Sequence, residues 1–131
     1  MTGRRLRSER GASAVEFAMI VPLLIALVLG IAEFGHGFQV QGTLSAAARE
    51  GVRVMALQND QVAAKAAVRA ATSTLDPAVT DAQMDFEPES CPQSGGTQLV
   101  TLTITYPKPF LTGFFGTQVT LTGKAVMRCN G

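Results

Sequence analysis

The feature that most constrains this chain is an uninterrupted apolar stretch near its N-terminus, from Ala12 to Ala32. As an α-helix, these 21 residues would span about 32 Å, enough to cross the hydrocarbon core of a bilayer. Four arginines precede the stretch, and basic flanking residues stay on the cytoplasmic side of a membrane. We therefore predict a single-pass protein of the inner (cytoplasmic) membrane, with its N-terminus in the cytoplasm and its C-terminus outside.

One acidic residue, Glu16, lies inside this apolar stretch. A charged group within a membrane helix costs on the order of 2–3 kcal/mol on the insertion scale, so such residues are functional by default. A secretory signal peptide does not fit, because the apolar stretch is too long and no small-residue cleavage site follows it. A plain membrane anchor fits the length but gives Glu16 no role. The simplest alternative is a glutamate that reaches back to the cytoplasmic headgroups.

The residues around Glu16 resemble the cleavage motif of type IV prepilins. In that family a prepilin peptidase cuts after a glycine, which leaves a glutamate at the fifth mature position and an aromatic residue at the sixth. A cut between Gly11 and Ala12 would place Glu16 fifth and Phe17 sixth. Three later segments extend the resemblance to the TadE-like minor pilins, or pseudopilins, of the tight-adherence (Tad) pilus: PLL at residues 22–24, GIAEFG at 30–35 and AAAREGVR at 46–53.

The resemblance implies a non-enzymatic protein that takes part in the assembly or the tip structure of a Tad-type pilus. Its partners would be the prepilin peptidase, other pilin subunits, the inner-membrane assembly platform and the membrane. Glu16 and Phe17 would serve peptidase recognition or subunit docking. Arg49, Glu50 and Arg53 are candidates for a subunit interface. The alternative is a single-pass anchored envelope domain that binds a partner or ligand without polymerising.

The resemblance also implies three parts: a prepilin leader at residues 1–11, a transmembrane and assembly helix at 12–34, and a periplasmic or extracellular α+β head at 35–131. We expect the helix to continue into the head to about residue 57, because apolar residues recur there at helical spacing. This stripe consists of Phe38, Leu44, Ala48, Val52 and Met55.

A second helix is predicted from about Gln61 to Leu75. Asn59 or Asp60 provides its N-cap, and Pro77 follows its end, because the residue before a proline is disfavoured in helical conformation. One side of this helix is marked by Val62, Ala66, Arg69 and Ala70.

Beyond the second helix, apolar and polar residues alternate in three segments, at residues 82–87, 100–106 and about 118–128. The middle segment has the clearest alternation, with three threonines, Thr101, Thr103 and Thr105, between Val100, Leu102, Ile104 and Tyr106. We predict a small antiparallel three-stranded sheet with one face packed on the helices. The expected fold class is therefore α+β, of pilin-like type.

Cys91 and Cys129 are the two cysteines of the chain, and both follow the apolar stretch. Cys91 follows the first predicted strand and Cys129 ends the third, so a disulfide between them would join strand ends. We expect this bond in an oxidising compartment, whereas a reducing compartment would leave two free thiols. The paired Cys and His spacing of a zinc site is missing.

The connection between the second and third strands, PKPFLTGFFGT at residues 107–117, is more apolar than a solvated loop. Phe110, Leu111, Phe114 and Phe115 lie within six positions of one another. One interpretation is that these side chains fold back over the sheet as core. The other is a contact surface for a neighbouring subunit or for the membrane surface.

No cofactor, metal or nucleic-acid site is predicted. The single histidine, His36, lies between two glycines, and no nucleophile motif or phosphate-binding loop is present. Residues 12–131 hold more acidic than basic groups, which excludes the basic surface that binds nucleic acid. Four acidic residues alternate near the first strand without the spacing of a calcium loop, so a solvated strand face is predicted: Asp81, Asp85, Glu87 and Glu89.

Overall fold

The structure, a computed structural model, describes the backbone of residues 5–92 and 96–130 and the side chains in these ranges from Glu9 onwards. Residues 1–4 of the predicted leader lie outside the described residues. The chain divides into two compact units, Met1–Gly35 and His36–Gly131. These are termed the first unit and the second unit below.

A single helix, α1, runs from Arg5 to Gln58. The predicted continuity to about residue 57 is confirmed, and the helix begins before the apolar stretch because arginine, leucine and glutamate are good helix formers. Pro22 lies inside α1, a position that membrane helices tolerate. Within the described residues, α1 is the one helix long and apolar enough to cross a membrane, and its mean hydropathy reaches 2.5.

The apolar side chains of α1 in the first unit are exposed rather than packed. Phe17, Leu23 and Phe34 are each exposed by about 70%. Most side chains between Phe17 and Phe34 are exposed as well, but Glu33 is 5% exposed and a few others are half-buried. A helix that is apolar on all sides is stable only inside a protein core or in lipid. The first unit supplies no such core, so this part of α1 fits a single-pass membrane helix.

In the second unit α1 buries one face in the core. The predicted stripe is confirmed at Leu44, Ala48, Val52 and Met55, which are at most 1% exposed. It is wrong at Phe38, whose side chain is 76% exposed. At 3.6 residues per turn, Phe38 lies about 120° around the helix from Leu44, so it points away from the core.

Two polar residues separate α1 from the next helix. Asn59 adopts a left-handed conformation with a φ of 50°, and its N–H donates to the carbonyl of Met55 at 2.9 Å. The Asp60 side chain then accepts hydrogen bonds from the N–H groups of Val62 and Ala63, at 2.8 and 3.2 Å. Asn59 therefore ends α1, and Asp60 is the N-cap of the second helix.

The second helix, α2, spans Gln61–Ala71, so the predicted end near Leu75 is wrong. Thr72 is its C-cap: the Thr72 N–H and hydroxyl both donate to the carbonyl of Val68, at 2.9 and 2.8 Å, and the chain turns after it. The side of α2 marked by Val62 does not face the core. Val62 is 76% exposed, whereas the buried residues of α2 are Ala64 and Val68.

The remainder of the second unit is a three-stranded antiparallel sheet in the order β1-β2-β3. Its strands are β1 at Met84–Glu87, β2 at Leu99–Pro109 and β3 at Gln118–Arg128. The predicted sheet and the α+β fold class are confirmed. The start of the first predicted segment is not strand, because Asp81–Gln83 form a 3₁₀ turn.

The inner face of β2 is the centre of the core. Val100, Leu102, Ile104 and Tyr106 are at most 1% exposed, and they pack between the helices and the flanking strands. Strand β3 contributes smaller residues to this face, and its one fully buried residue between Gln118 and Arg128 is Gly123. The absence of a side chain at Gly123 lets the backbone of α1 approach the sheet at Leu44.

A disulfide joins Cys91 to Cys129, with a Cα–Cα distance of 5.6 Å. This confirms the predicted bond between the end of β1 and the end of β3. The backbone N–H of Cys91 also donates to the Asn59 side chain at 2.6 Å. The bond therefore fixes the strand ends beside the junction of α1 and α2.

Reduction of this disulfide is expected to lower the free energy of unfolding of the second unit. The bond closes a loop of 38 residues, for which the chain-entropy estimate is about 3–4 kcal/mol. The check is the urea midpoint of the full chain in detergent micelles, with and without reductant. The double variant Cys91→Ala/Cys129→Ala is the control. If reductant shifts its midpoint as much as that of the natural chain, the disulfide is not the cause.

Candidate functional site

The predicted cleavage site lies inside helix α1. Gly11 and Ala12 are helical and exposed, and a side chain added at Gly11 would meet nothing within 4 Å. Glu16 follows Ala12 by four positions, so the two residues lie on the same side of the helix, one turn apart. Phe17 beside it is 70% exposed. These four residues lie within two turns of the helix at the start of the apolar stretch, with Ala12 and Glu16 on one side and Gly11 and Phe17 about 120° apart.

Glu16 has no hydrogen-bond or ion-pair partner among the residues that the structure describes. Its carboxylate is exposed on a helix whose neighbouring side chains are apolar. In lipid, an ionised carboxylate needs either water or a partner of opposite charge. Any partner in the membrane must therefore come from the chain's own N-terminal region or from another molecule.

The three charged candidates for a subunit interface lie on α1 within the second unit. Arg49, Glu50 and Arg53 are exposed, and they point away from the helix face that Leu44 and Ala48 bury. In the described part of the chain, no ion pair joins Glu50 to either arginine. The three charges are thus presented to solvent on the outer side of the helix.

The apolar connection between β2 and β3 ends in a short 3₁₀ turn at Gly113–Phe115. The interpretation that its side chains form core is wrong: Leu111 is 61% exposed, Phe114 71% and Phe115 47%. They lie past Tyr106, where the apolar part of the buried β2 face ends. Phe110, Leu111, Phe114 and Phe115 are termed the hairpin tip below.

The rings of the hairpin tip pack against one another. Phe114 and Phe115 meet edge to face with centroids 5.5 Å apart, and Phe110 lies 6.4 Å from Phe115. Such aromatic contacts stabilise a pair by about 0.5–1.5 kcal/mol beyond the area buried. The tip is therefore an ordered apolar surface rather than a set of independent side chains.

A groove of about 300 Å³ lies in the second unit beside the hairpin tip. His36, Tyr106, Lys108, Phe110 and Leu111 are among the residues that line it. The Lys108 ammonium donates to the carbonyl of Pro109 at 3.1 Å and lies 5.7 Å from the centre of the Phe110 ring. The sequence pattern contained a signal for this buried lysine, because Lys108 continues the inward alternation of β2.

The Tyr106 hydroxyl has a structural role at the groove. It donates to the carbonyl of Pro77 at 2.7 Å. Burial, followed by the nearby Asp76 carboxylate, raises the pKa of the Tyr106 phenol, so this group stays protonated as a donor at neutral pH. The bond ties β2 to the segment that follows α2.

The acidic residues near β1 do not converge. Asp81 forms an ion pair with Arg69, and Asp85 and Glu87 are exposed on β1. Among the described residues, no group of three or more histidine, cysteine or acidic side chains is arranged to hold a metal ion. The arrangement fits the solvated strand face predicted for these residues.

Comparison with known proteins gives one family. The family described as TadE-like protein matches residues 11–53. The match begins at Gly11, includes Glu16 and Phe17, and ends at Arg53. Neither the curated proteins nor the solved structures yield a match. The TadE-like family is a structural, non-enzymatic pilin family. The resemblance that the sequence indicates is therefore confirmed over residues 11–53, where this chain matches the TadE-like family, and the match supports a pilin-like role related to the Tad pilus.

Proposed function

We propose that this chain is a minor pilin, or pseudopilin, that takes part in the assembly or the tip structure of a Tad-type pilus. A prepilin peptidase removes residues 1–11, and the helix at 12–34 then holds the protein in the inner membrane until it joins other subunits. The observation that best supports this proposal is Glu16. It is an exposed acidic residue without a described partner, one turn after the proposed cut, within an apolar helix that matches the TadE-like family.

Cleavage would give Glu16 a partner. Hydrolysis of the Gly11–Ala12 peptide bond leaves a carboxyl group on Gly11 and a free amine on Ala12. The amine of one subunit and the Glu16 carboxylate of its neighbour attract each other strongly where the dielectric is low. Each charge alone is costly in lipid, and separating the pair would leave both charges buried without a partner, so the pairing favours assembly in one register.

The proposed orientation follows from the charges and the disulfide. The arginines before Gly11 favour a cytoplasmic N-terminus, where the peptidase would act. The Cys91–Cys129 bond is typical of an oxidising compartment, in agreement with a second unit outside the cytoplasm. We propose that Arg49, Glu50 and Arg53, exposed within the matched segment, contact a neighbouring subunit or the assembly platform.

N-terminal sequencing of the protein extracted from membranes tests the proposed processing. We expect the mature chain to begin at Ala12. Gly11→Ala is expected to slow this cleavage by up to about fivefold, because alanine stabilises the helix by up to about 1 kcal/mol and the helix must open locally before the bond is cut. The measurement is the ratio of uncut to cut protein over time in cells that contain the peptidase.

The matched control for this test is Gly35→Ala. Gly35 also lies in α1, and a side chain added there would meet nothing within 4 Å, so the same change is made away from the cut. It should leave processing unchanged. A natural chain that keeps Met1 in membranes containing an active prepilin peptidase would contradict the proposal.

A second candidate function is an anchored envelope domain that binds a ligand or partner without polymerising. The groove beside Tyr106 and Lys108 favours this candidate, because it joins an apolar wall to polar groups, as ligand sites do. The two candidates differ at the N-terminus. An anchored domain keeps residues 1–11, whereas a pilin loses them.

A further inference from the structure

We propose that the hairpin tip inserts into the surface of the membrane from which α1 emerges. The second unit then contacts lipid at a second point. The occupant of this apolar surface is the interfacial layer of a bilayer, with its headgroups and upper acyl chains. This inference requires that α1 spans the membrane. It does not require cleavage, Glu16 pairing or pilus assembly, and so it can fail or hold independently of the proposed function.

The chemistry of the tip suits a bilayer interface. Leu111, Phe114 and Phe115 are 61%, 71% and 47% exposed, and they project from a short turn rather than from a flat face. Exposed apolar groups of this kind mark membrane or protein contact sites. The connection at residues 107–117 holds one lysine and no acidic residue, so anionic headgroups do not repel it.

Contacts inside the second unit show which way the hairpin points. Just after β3, the N–H of Asn130 donates to the carbonyl of Ala56 at 3.0 Å. Nearer the tip, the Gln41 side chain donates to the carbonyl of Thr122 at 2.7 Å. Moving along β3 from its end towards the tip therefore corresponds to moving along α1 towards its N-terminal end. The hairpin tip points to the end of the second unit at which α1 enters it.

The groove provides separate evidence that the hairpin tip lies at this end of the second unit. His36, the first residue of the second unit, lines the groove together with Phe110 and Leu111 of the tip. In the chain, His36 follows Phe34 by two residues, and Phe34 is the last large apolar residue of the span. The tip therefore lies next to the residue at which the helix leaves the membrane.

A second copy of the chain is a weaker occupant. A stable protein interface buries about 800 Å² on each partner. Large aromatic side chains contribute about 150–250 Å² each when fully buried, and those of the tip already cover one another in part. The tip alone is too small for such an interface, whereas insertion into lipid requires only a protruding apolar end.

Single tryptophan probes test the inference, because the natural chain has no tryptophan. The variant Phe114→Trp places the probe at the tip. The matched control Val62→Trp places it at an equally exposed position, 76% against 71%, at the start of α2. Since α2 starts where α1 ends, Val62 is separated from His36 by about 33 Å of helix. Both full-length variants are reconstituted in vesicles of phosphatidylethanolamine and phosphatidylglycerol, with or without brominated acyl chains.

We expect brominated lipid to quench the emission of Phe114→Trp by about half or more and that of Val62→Trp by little. Circular dichroism and resistance of the Cys91–Cys129 bond to mild reductant confirm that each variant is folded. Equal and weak quenching of the two probes would overturn the proposal. Phe114→Trp emission that is shielded only at high protein density, without quenching by brominated lipid, would also overturn it and assign the tip to a contact between chains.

Discussion

Glu16→Gln is expected to reduce the association of this chain with its pilus partners by about 100-fold or more. The substitution keeps the size of the side chain and removes its charge, which leaves the Ala12 amine of the neighbouring subunit without a partner in lipid. Removal of one member of a buried charge pair costs about 3–5 kcal/mol. The measurement is the yield of cross-linked complexes with other pilin subunits in intact membranes. Membrane insertion should not fall, because glutamine is easier to bury than glutamate.

The matched control is Ser13→Ala, which removes a polar group one turn from Glu16 without changing the charge. It should leave the cross-linked yield unchanged. The uncut chain provides a second control, because it has no amine at Ala12. In cells that lack the prepilin peptidase, Glu16→Gln should therefore have little further effect, as expected for two groups that act as one pair. An equal loss in cut and uncut chains would contradict the pairing and leave Glu16 a different role.

The order of secondary structure elements could be predicted because the periodic patterns are long. α1 contains one strong helix breaker, Pro22, at a depth where membrane helices tolerate proline. β2 alternates over its whole length, and this alternation places its apolar residues on the buried face. The disulfide was expected in an oxidising compartment, and its position agrees with that expectation, because Cys91 follows β1 and Cys129 follows β3.

The faces that pack could be predicted only in part. α2 has the sequence QVAAKAAVRAA, and its two valines, Val62 and Val68, lie about 120° apart around the helix, so either side could be chosen as the buried one. The structure buries the side with Val68, because Gly51 of α1 makes room for that side chain, and it leaves Val62 exposed. The spacing of Phe38 fits a loose apolar stripe, which predicts a core position. Phe38 does not, however, lie on the helix face that α1 buries. The residue pattern of one helix does not show which of its sides the neighbouring helix or sheet packs against.

The candidate functional site could also be predicted only in part. The segment around Glu16 could be identified because a charge within an apolar helix is a local anomaly that needs no tertiary information. The exposure of the hairpin tip could not be predicted, since an apolar loop can either pack into the core or lie on the surface. Whether the loop is buried or exposed depends on where the buried face of β2 ends. In the folded sheet this face ends at Tyr106 and Lys108.

Gly123→Ala is expected to be the most destabilising single-methyl change in the second unit. The added Cβ would lie 2.6 Å from the carbonyl oxygen of Leu44 and 2.8 Å from its carbonyl carbon. These are backbone atoms of α1, so a rotamer change gives no relief and the helix has to move away from the sheet. We expect a loss near the upper end of the usual overpacking range, about 3 kcal/mol in the free energy of unfolding. The measurement is urea unfolding of the full chain in micelles, followed by the fluorescence of Tyr106, the single tyrosine.

Two glycines in the same unit provide the controls, because a methyl group at either would meet nothing within 4 Å. Gly113→Ala should change stability by less than about 0.5 kcal/mol, and Gly42→Ala on α1 should stabilise by up to about 1 kcal/mol. Gly51→Ala should lower the free energy of unfolding by an intermediate amount, because its new methyl group would meet the side chains of Val68 and Leu102. Side chains can shift to relieve such a contact, whereas backbone atoms cannot. If Gly123→Ala proves no worse than Gly51→Ala, α1 is not held against β3 at Leu44.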